Sequence, residues 1–239
     1  MRQQPEQQAP PVQRLRIRYA KRGRLRFTSH RDFSRAFERA LVRVRLPMAY
    51  SSGFNPHPRI SYAGAAPTGA ASEAEYVEIG LAEVVDADAV KAALEEALPD
   101  GLDVLEVVES PGGSLADRLE ASSWLIDLQA SYDEAAGAVA AFLAAGEVLV
   151  ERMTKKGLRQ FDARGAVVSL EAEASGSGSR LRLLLRHGTP AVRPDDVIAG
   201  LTAAGGLKVG PEHGGLALLT RLAQGPFDEA AATIGDPLH

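Results

Sequence analysis

Residues 14–44 read RLRIRYAKRGRLRFTSHRDFSRAFERALVRV, and a change of pattern inside this stretch decides the fold. As far as Tyr19, basic and apolar side chains alternate, which is the period of a β-strand with one cationic face in water. KRGR then turns the chain, and LRFTS resumes the extended pattern with Leu25 and Phe27 pointing inward. The first part of the stretch therefore predicts two extended segments.

From Phe33 onward the apolar residues recur at three- and four-residue spacing, which predicts an amphipathic helix that ends at Leu46-Pro47. Ser29 is followed three residues later by Asp32. This spacing resembles a shortened capping box, which would place His30 in the first helical turn.

The same kinds of pattern, followed to residue 109, predict a β-α-β-β-α-β unit, the ferredoxin-like arrangement. A break rich in Pro and Gly follows, and then the alternation of strand and helix patterns returns. The predicted fold class is α+β, with two tandem ferredoxin-like units and antiparallel sheets. The predicted organisation is a disordered tail (1–13), a basic ferredoxin-like domain (14–109), a linker (110–119), a second ferredoxin-like domain (120–224) and a C-terminal tail (225–239).

The composition excludes several classes of site. The chain has 239 residues and no cysteine, so disulfides, iron–sulfur clusters and thiolate metal sites are excluded, and no metal site is predicted. The N-terminal stretch MRQQPEQQAPPVQ has no apolar run, and nowhere do 18 apolar residues follow one another, so the sequence indicates neither a secretory signal nor a membrane span. We therefore expect a cytoplasmic protein with no membrane contact.

The net charge of −4 hides a strong asymmetry along the chain. Residues 1–63 contain fourteen Lys and Arg against three Asp and Glu, a balance of +11, so the remaining residues carry −15. This split favours a surface that faces a polyanion. The alternative is that the basic segment pairs with the acidic segment 73–120 inside the fold.

The basic residues of the helix recur every four positions and therefore stand in one row, namely Arg31, Arg35, Arg39 and Arg43. Guanidinium groups in a row repel one another, and phosphate is the ligand whose geometry suits them. A solvated helix face is the alternative. His30 beside this row could act as a general base or hold a phosphate oxygen, or it could serve only as a packing residue.

A loop spelled GFNPHP follows the helix, and its prolines restrict the backbone while Gly53 permits a positive φ. Such a loop could present Asn55, His57 and Arg59 to a ligand, or it could be a purely structural turn. A second basic cluster surrounds Gly157, with Phe161 as a base-stacking candidate. Its anion-binding candidates are Lys155, Lys156, Arg159 and Arg164.

The stretch LRFTSHRDFSRAFERALVRVRLPMAYSSGFNPHPRISYA, followed by PTGAASEAEYVEIGL and TKKGLRQFDARG, resembles the radical SAM-linked protein family. Members of that family occur fused to, or encoded beside, cobalamin-binding radical SAM proteins. The matching motif residues are Ser29, His30, Asp32, Ser52, Gly53, Phe54, Asn55, Pro56, His57, Pro58, Gly69, Glu75, Lys155, Lys156, Gly157, Asp162 and Arg164.

The resemblance implies a role as an accessory protein. A radical SAM enzyme holds its cluster with three thiolates, and this chain has none, so S-adenosylmethionine, iron–sulfur cluster and cobalamin are expected only in a partner protein. No recognised catalytic motif occurs either, and the chain alone is not expected to be an enzyme. The leading hypothesis is therefore an accessory protein that binds RNA, or another anionic substrate, and presents it to a radical SAM partner.

Two alternatives remain. A weaker likeness, in architecture, is to the repeat-processing CRISPR endonucleases, which would make the chain a metal-independent ribonuclease with His30 as its catalytic residue. The chain could also be an interaction module that docks on the radical SAM partner and binds no nucleic acid.

Overall fold

The computed structural model describes residues 7–154, 157–176, 178–213 and 215–239. The chain divides into two compact units. Unit 1 extends to Arg118 and includes Pro237–His239, while unit 2 comprises Leu119–Asp236. Each unit combines two long helices with a mostly antiparallel sheet, so the protein is of mixed α and β structure. Within the described ranges, no helix has the length and apolar character that crossing a membrane requires.

Unit 1 has the element order β-α-β-β-α-β that the sequence predicts. Its sheet has the strand order β4-β1-β3-β2, and each pair of neighbours is antiparallel. The elements are β1 (Gln13–Lys21), α1 (His30–Arg43), β2 (Ile60–Ala63), β3 (Ala71–Leu81), α2 (Ala87–Ala97) and β4 (Val104–Glu109).

The core of unit 1 lies between this sheet and its two helices. Alternate residues of β1 point to the helices, and Tyr19 stacks on Phe33 of α1 with 4.3 Å between the ring centroids. The buried apolar residues of α1 lie on one face because their spacing matches the helical period. The main core residues are Leu15, Ile17, Tyr19, Phe33, Phe37, Leu41, Val77, Ile79, Leu81, Val90, Leu94 and Val104.

Two predictions about the first 27 residues are wrong. The predicted tail ends before Gln13, which is buried in β1 and exchanges two hydrogen bonds with the backbone of Val85. Residues 1–6 of that tail lie outside the described residues. The second extended segment is a 3-10 turn over Gly23–Phe27, in which Phe27 is 67% exposed. Gly23 has a φ of 52°, which turns the chain out of the extended conformation.

The cationic face of β1 is also less open to water than predicted, since Arg16 is fully buried. Its guanidinium donates to Glu78 at 3.1 Å, to Gly112 at 2.7 Å and to the carbonyl of Pro237 at 3.1 Å. Ser110 donates to the same Glu78 carboxylate at 2.8 Å. The predicted linker 110–119 is thus fastened to the sheet at its start, because a buried charge requires such partners.

Unit 2 repeats the strand order of unit 1, with an added hairpin. Its sheet has the order β8-β9-β5-β10, and β6 pairs only with β7 among the described strands. The elements are β5 (Ala121–Leu128), α3 (Tyr132–Ala144), β6 (Leu149–Thr154), β7 (Gly157–Asp162), β8 (Val167–Ser175), β9 (Gly178–Arg186), α4 (Pro194–Gly205), β10 (Leu218–Gly225), β11 (Phe227–Asp228) and β12 (Thr233–Ile234).

Two details of unit 2 differ from the predicted pattern. The extended segment after α3 does not join the main sheet, because it forms the separate hairpin β6–β7. The predicted C-terminal tail contains the two short strands β11 and β12, which pair with each other. Strands β8 and β9 pair as an antiparallel hairpin, and Ser177 between them lies outside the described residues.

Candidate nucleic-acid interface

Helix α1 begins where the sequence predicts. Ser29 is the N-cap: its hydroxyl accepts a hydrogen bond from the backbone N–H of Asp32 at 3.2 Å and donates to the Asp32 carboxylate at 2.7 Å. His30 is the first helical residue and is exposed. The Ser29 and Asp32 of the matched motif therefore fix the start of α1, and with it the position of every arginine in the row.

The arginine row borders an open groove of about 1030 Å³ in unit 1. Arg35, Arg39 and Arg43 line it, and the opposite wall is the C-terminal end of α2, from Glu96 to Pro99. Arg43 donates to the carbonyl oxygen of Ala97 at 3.5 Å, which bridges the two walls. Arg31 is exposed but does not line the groove.

The basic residues of unit 1 fall into two electrostatic groups. Arginines of β1 and of the turn after it pair with the acidic segment: Arg18 with Glu106 at 3.7 Å and Arg22 with Asp103 at 2.7 Å. In the part of the chain that the structure describes, the arginines of α1 form no ion pair with a carboxylate. Internal pairing thus accounts for the charges of Arg18 and Arg22, whereas the arginines of α1 retain their positive charge.

Tyr62 of β2 contacts the exposed His30. The two rings meet edge to face with 4.9 Å between their centroids, and Ser34 donates to the His30 carbonyl oxygen at 2.9 Å. Burial raises the pKa of the Tyr62 hydroxyl, the neighbouring Ser34 hydroxyl counteracts this, and the negative charge of Glu38 adds to it. Among the described residues, no group forms a hydrogen bond with the His30 ring, so a general base with an aligned partner is not formed here.

The GFNPHP loop is closed at its base by two hydrogen bonds between Ser51 and His57, at 2.9 and 3.0 Å. Gly53 has a φ of 131°, which only glycine adopts easily. Phe54 is 69% exposed, and Asn55 and His57 are exposed as well. The loop thus presents these three side chains to solvent, as a ligand-binding loop would.

Arg59, which follows the GFNPHP loop, does not face the groove along α1. Arg59 is half-buried, and its Nε donates to the carbonyl oxygen of Tyr50 at 3.2 Å. It lines a second, smaller pocket together with Arg14, not the groove along α1. The remaining matched residues of unit 1 are structural: Glu75 is buried and accepts from the backbone N–H of Ala66, and Gly69 exchanges hydrogen bonds with Arg26.

The second basic cluster is largely occupied by internal contacts. Arg164 donates to the carbonyl oxygens of Leu143 and Val167, and Asp162 accepts from the backbone N–H groups of Val148, Arg164 and Gly165. The carboxylate therefore orders the turn and does not pair with the Arg164 guanidinium.

The stacking candidate of this cluster is also unavailable. Phe161 is only 4% exposed and is covered by Arg152, whose guanidinium carbon lies 4.4 Å from the ring centroid. Arg159 is exposed, whereas Lys155 and Lys156 lie outside the described residues. Among the described candidates in this hairpin, Arg159 alone is left to contact an anion.

Sequence reasoning missed the buried Arg16–Glu78 pair and the pocket beside it. Arg16 and Glu78 lie on different strands 62 positions apart and become neighbours through the register of β1 and β3. The local signal was an arginine on an alternating strand, which usually indicates a wet face. The position of Glu78 on the outward face of β3 was the one further sign in the sequence that Arg16 could have an acidic partner.

Comparison with known proteins gives a family and a distant structural likeness. No curated protein matches the chain. A solved structure titled "Crystal Structure of a Cbf5-Nop10-Gar1 Complex" is similar over 93% of this chain and 55% of that chain, with 14% sequence identity and a TM-score of 0.49. The chain thus spans about half the length of that structure's chain. Residues 14–194 match the family described as "Uncharacterized protein conserved in bacteria (DUF2344)", and the chain belongs to this family.

Proposed function

We propose that this protein binds RNA along α1 and presents it to a radical SAM enzyme. One observation carries the RNA-binding part: Arg35, Arg39 and Arg43 line an open groove, and within the described ranges none of them is paired with a carboxylate. Successive members of the row are separated by about 6 Å along the helix axis, so they can contact several groups of one extended polyanion. Guanidinium groups bind phosphate through paired hydrogen bonds.

The charge distribution supports this proposal. Residues 1–63 carry a balance of +11, and a concentration of positive charge on one segment attracts nucleic acid even when the whole chain is acidic. The exposed Phe54, followed by Asn55 and His57, supplies an aromatic face and hydrogen-bonding groups of the kind that contact unpaired bases. Glu38 and Glu96 also line the groove and would disfavour any segment of the ligand that approaches them.

The radical SAM partner rests on the resemblance of the S-H-x-D and S-x-G-F-N-P-H-P strings, together with the absence of cysteine from the chain. In this proposal S-adenosylmethionine, iron–sulfur cluster and cobalamin belong to the partner. Both units would be ferredoxin-like, an interpretation supported by the shared strand order of their main sheets. We place the protein in the cytoplasm, where such a partner and cellular RNA would meet.

The two alternatives lack a comparable observation. A ribonuclease would need an acid or base aligned with His30, and within the described residues no group forms a hydrogen bond with its ring, which meets Tyr62 edge to face. A docking module without RNA would use the same arginines on an acidic protein surface. RNA binding and protein docking therefore predict different ligands for one groove, and an experiment can separate them.

The test measures binding of a fluorescent pool of transfer RNAs to the purified protein at several salt concentrations. For the unaltered chain we expect log K to fall with log salt by about 0.7 to 0.9 for each phosphate contacted. The double variant Arg35→Glu/Arg39→Glu should bind much more weakly, and its salt slope should be smaller by about 2. The matched control is Arg182→Glu/Arg186→Glu, which changes the charge equally on exposed arginines of unit 2.

The control is expected to retain most of the affinity. Equal losses in both double variants would mean that net charge alone attracts RNA, and the groove assignment would be rejected. If the unaltered protein shows no salt-dependent binding, RNA binding is rejected, and co-purification with a co-expressed radical SAM protein becomes the test of the docking alternative. Thermal unfolding of all three proteins verifies that each is folded.

A further inference from the structure

A second pocket of unit 1, of about 420 Å³, lies on the sheet face turned away from the helices. Glu78 and Gly80 of β3 belong to this face because they alternate with core residues of the same strand. Ser61 is the register partner of Glu78 and joins them. Arg14, Arg59 and Pro11 stand around this floor.

Gly80 explains why the pocket is open between the two arginines. Arg14 on β1 is the register partner of Gly80. On the other side of the glycine, the backbone N–H of Gly80 donates to the carbonyl oxygen of Arg59 at 2.8 Å. A Cβ at this position would approach Pro11 Cγ to 2.9 Å and Arg59 Cβ to 3.2 Å. The glycine therefore allows both arginines and the N-terminal segment to surround one space.

The charges that reach this space do not cancel. The buried Arg16 neutralises Glu78, whose other oxygen lies 3.5 Å from Arg14. Over the described chain, no carboxylate lies within ion-pair distance of Arg59. Three guanidiniums against one carboxylate leave a local charge of about +2, which is the charge that a phosphate monoester balances near neutral pH.

The GFNPHP motif gives Arg59 its position. The loop is closed by Ser51 and His57, and the backbone N–H of Arg59 donates to Ala49 at 2.8 Å immediately beyond that closure. The Arg59 Nε is held by the carbonyl oxygen of Tyr50. The loop thus orders the arginine before any ligand arrives, and this ordering lowers the entropy cost of binding.

We propose that this pocket binds a small phosphate monoester that carries free hydroxyl groups. Arg14 and Arg59 would clamp the phosphate, and the Glu78 oxygen near Arg14 would accept a hydrogen bond from a ligand hydroxyl. Pro11 and Leu115 provide an apolar wall for the carbon skeleton. The volume lies within the range of small-molecule sites, and none of these residues lines the groove along α1. The site is separate from the RNA groove and does not depend on it.

The test is calorimetric titration of the full chain with glycerol 3-phosphate and with inorganic phosphate, using glycerol as the uncharged comparison. Glycerol 3-phosphate should bind, and glycerol should not. Arg59→Gln and Arg14→Gln should each weaken binding about tenfold or more, the expected effect of losing one charge-assisted contact. The exposed Arg24→Gln, also in unit 1, is the matched control and should leave the affinity unchanged.

Absence of binding by both phosphates, or binding unchanged in both pocket variants, would overturn the proposal. Loss of phosphate binding in Arg35→Glu/Arg39→Glu, with retention in Arg14→Gln, would assign the phosphate to the groove and also overturn it. If Arg59→Gln does not fold, Arg14→Gln decides, because that side chain is half exposed. The pocket variants should retain their affinity for transfer RNA, so this proposal and the proposed function fail separately.

Discussion

Helix α1 and the hairpin β6–β7 both carry basic clusters that the sequence predicts to bind anions, yet they use their arginines differently. In α1 the arginine row lies exposed beside a groove and, across the described residues, has no carboxylate partner. In and beside the hairpin, Arg152 pairs with the buried Asp196 and covers Phe161, while Arg164 donates to two carbonyl oxygens. A basic cluster is therefore a candidate ligand site only where the fold leaves most of its donor groups without internal acceptors.

The cause of the difference is the neighbouring structure. The hairpin packs against the start of α4, where Asp196 is buried and Ala191 offers a carbonyl oxygen to Arg152. The α1 row faces the end of α2, where Glu96 also lines the groove but, among the described residues, forms no ion pair with the row. Arg152 thus stabilises the hairpin, whereas the arginines of the α1 row remain exposed to solvent.

The largest expected effect is on the stability of unit 2. Arg152→Ala would leave the buried Asp196 without its ion pair and would uncover Phe161. We expect the free energy of unfolding to fall by about 3 kcal/mol, the lower end for removing one partner of a largely buried pair. Urea unfolding followed by circular dichroism measures the change.

Arg159→Ala is the matched control, because Arg159 is the cross-strand neighbour of Arg152 and is exposed. Its expected effect is within about 0.5 kcal/mol, as for most surface substitutions. Comparable losses in both variants would show that the hairpin depends on its total charge and not on the Arg152 contacts. The proposed difference between the internally bound arginines of the hairpin and the exposed arginines of α1 would then be rejected.

A smaller effect is expected at alkaline pH, from Tyr62 beside α1. Burial raises the pKa of this hydroxyl in the folded protein, so the proton leaves the unfolded chain first as pH rises. Its stabilising contribution is complete below the ordinary tyrosine pKa and is lost as pH rises through the raised value. Unfolding measured from pH 8 to 11 should show a steeper decline for the unaltered protein than for Tyr62→Phe.

Tyr50→Phe serves as the comparison, since it removes an exposed hydroxyl and leaves Tyr62 in place. This variant should retain the steep decline. Identical pH profiles for the unaltered protein and Tyr62→Phe would contradict the argument, and would mean that water reaches the hydroxyl beside Ser34 and Glu38.

Local sequence patterns predicted some features of this structure and not others. Local patterns were sufficient for α1, its Ser29 cap and the order of elements in unit 1, because each depends on residues within a few positions of one another. The same local patterns did not predict that the side chains of Arg16 and Phe161 are buried. The burial of these two side chains depends on Glu78 and Arg152, which reach them through strand register and packing. The exposed row was predictable because helical period alone defines it.

The pocket between Arg14 and Arg59 lay beyond local patterns for a related reason. Gly80 separates the two arginines, and the three residues come from β1, β3 and the segment that precedes β2. The GFNPHP string was recognisable as a motif, but its contribution to Arg59 depends on a hydrogen bond to Tyr50. The motif was thus recognisable from the sequence, whereas the residue that its loop positions could be identified only from the structure.

The smallest expected effect is the most informative about α1. Arg35→Ala/Arg39→Ala removes the like-charge neighbours at four-residue spacing, each unfavourable by about 0.2 to 0.5 kcal/mol, and introduces the best helix-forming residue. Urea unfolding should show stability unchanged within about 0.5 kcal/mol, or raised. A loss above about 1 kcal/mol would mean that these arginines stabilise the fold as Arg152 does. With stability unchanged, any loss of RNA affinity in this same alanine variant reports on the groove itself, because unfolding cannot explain it.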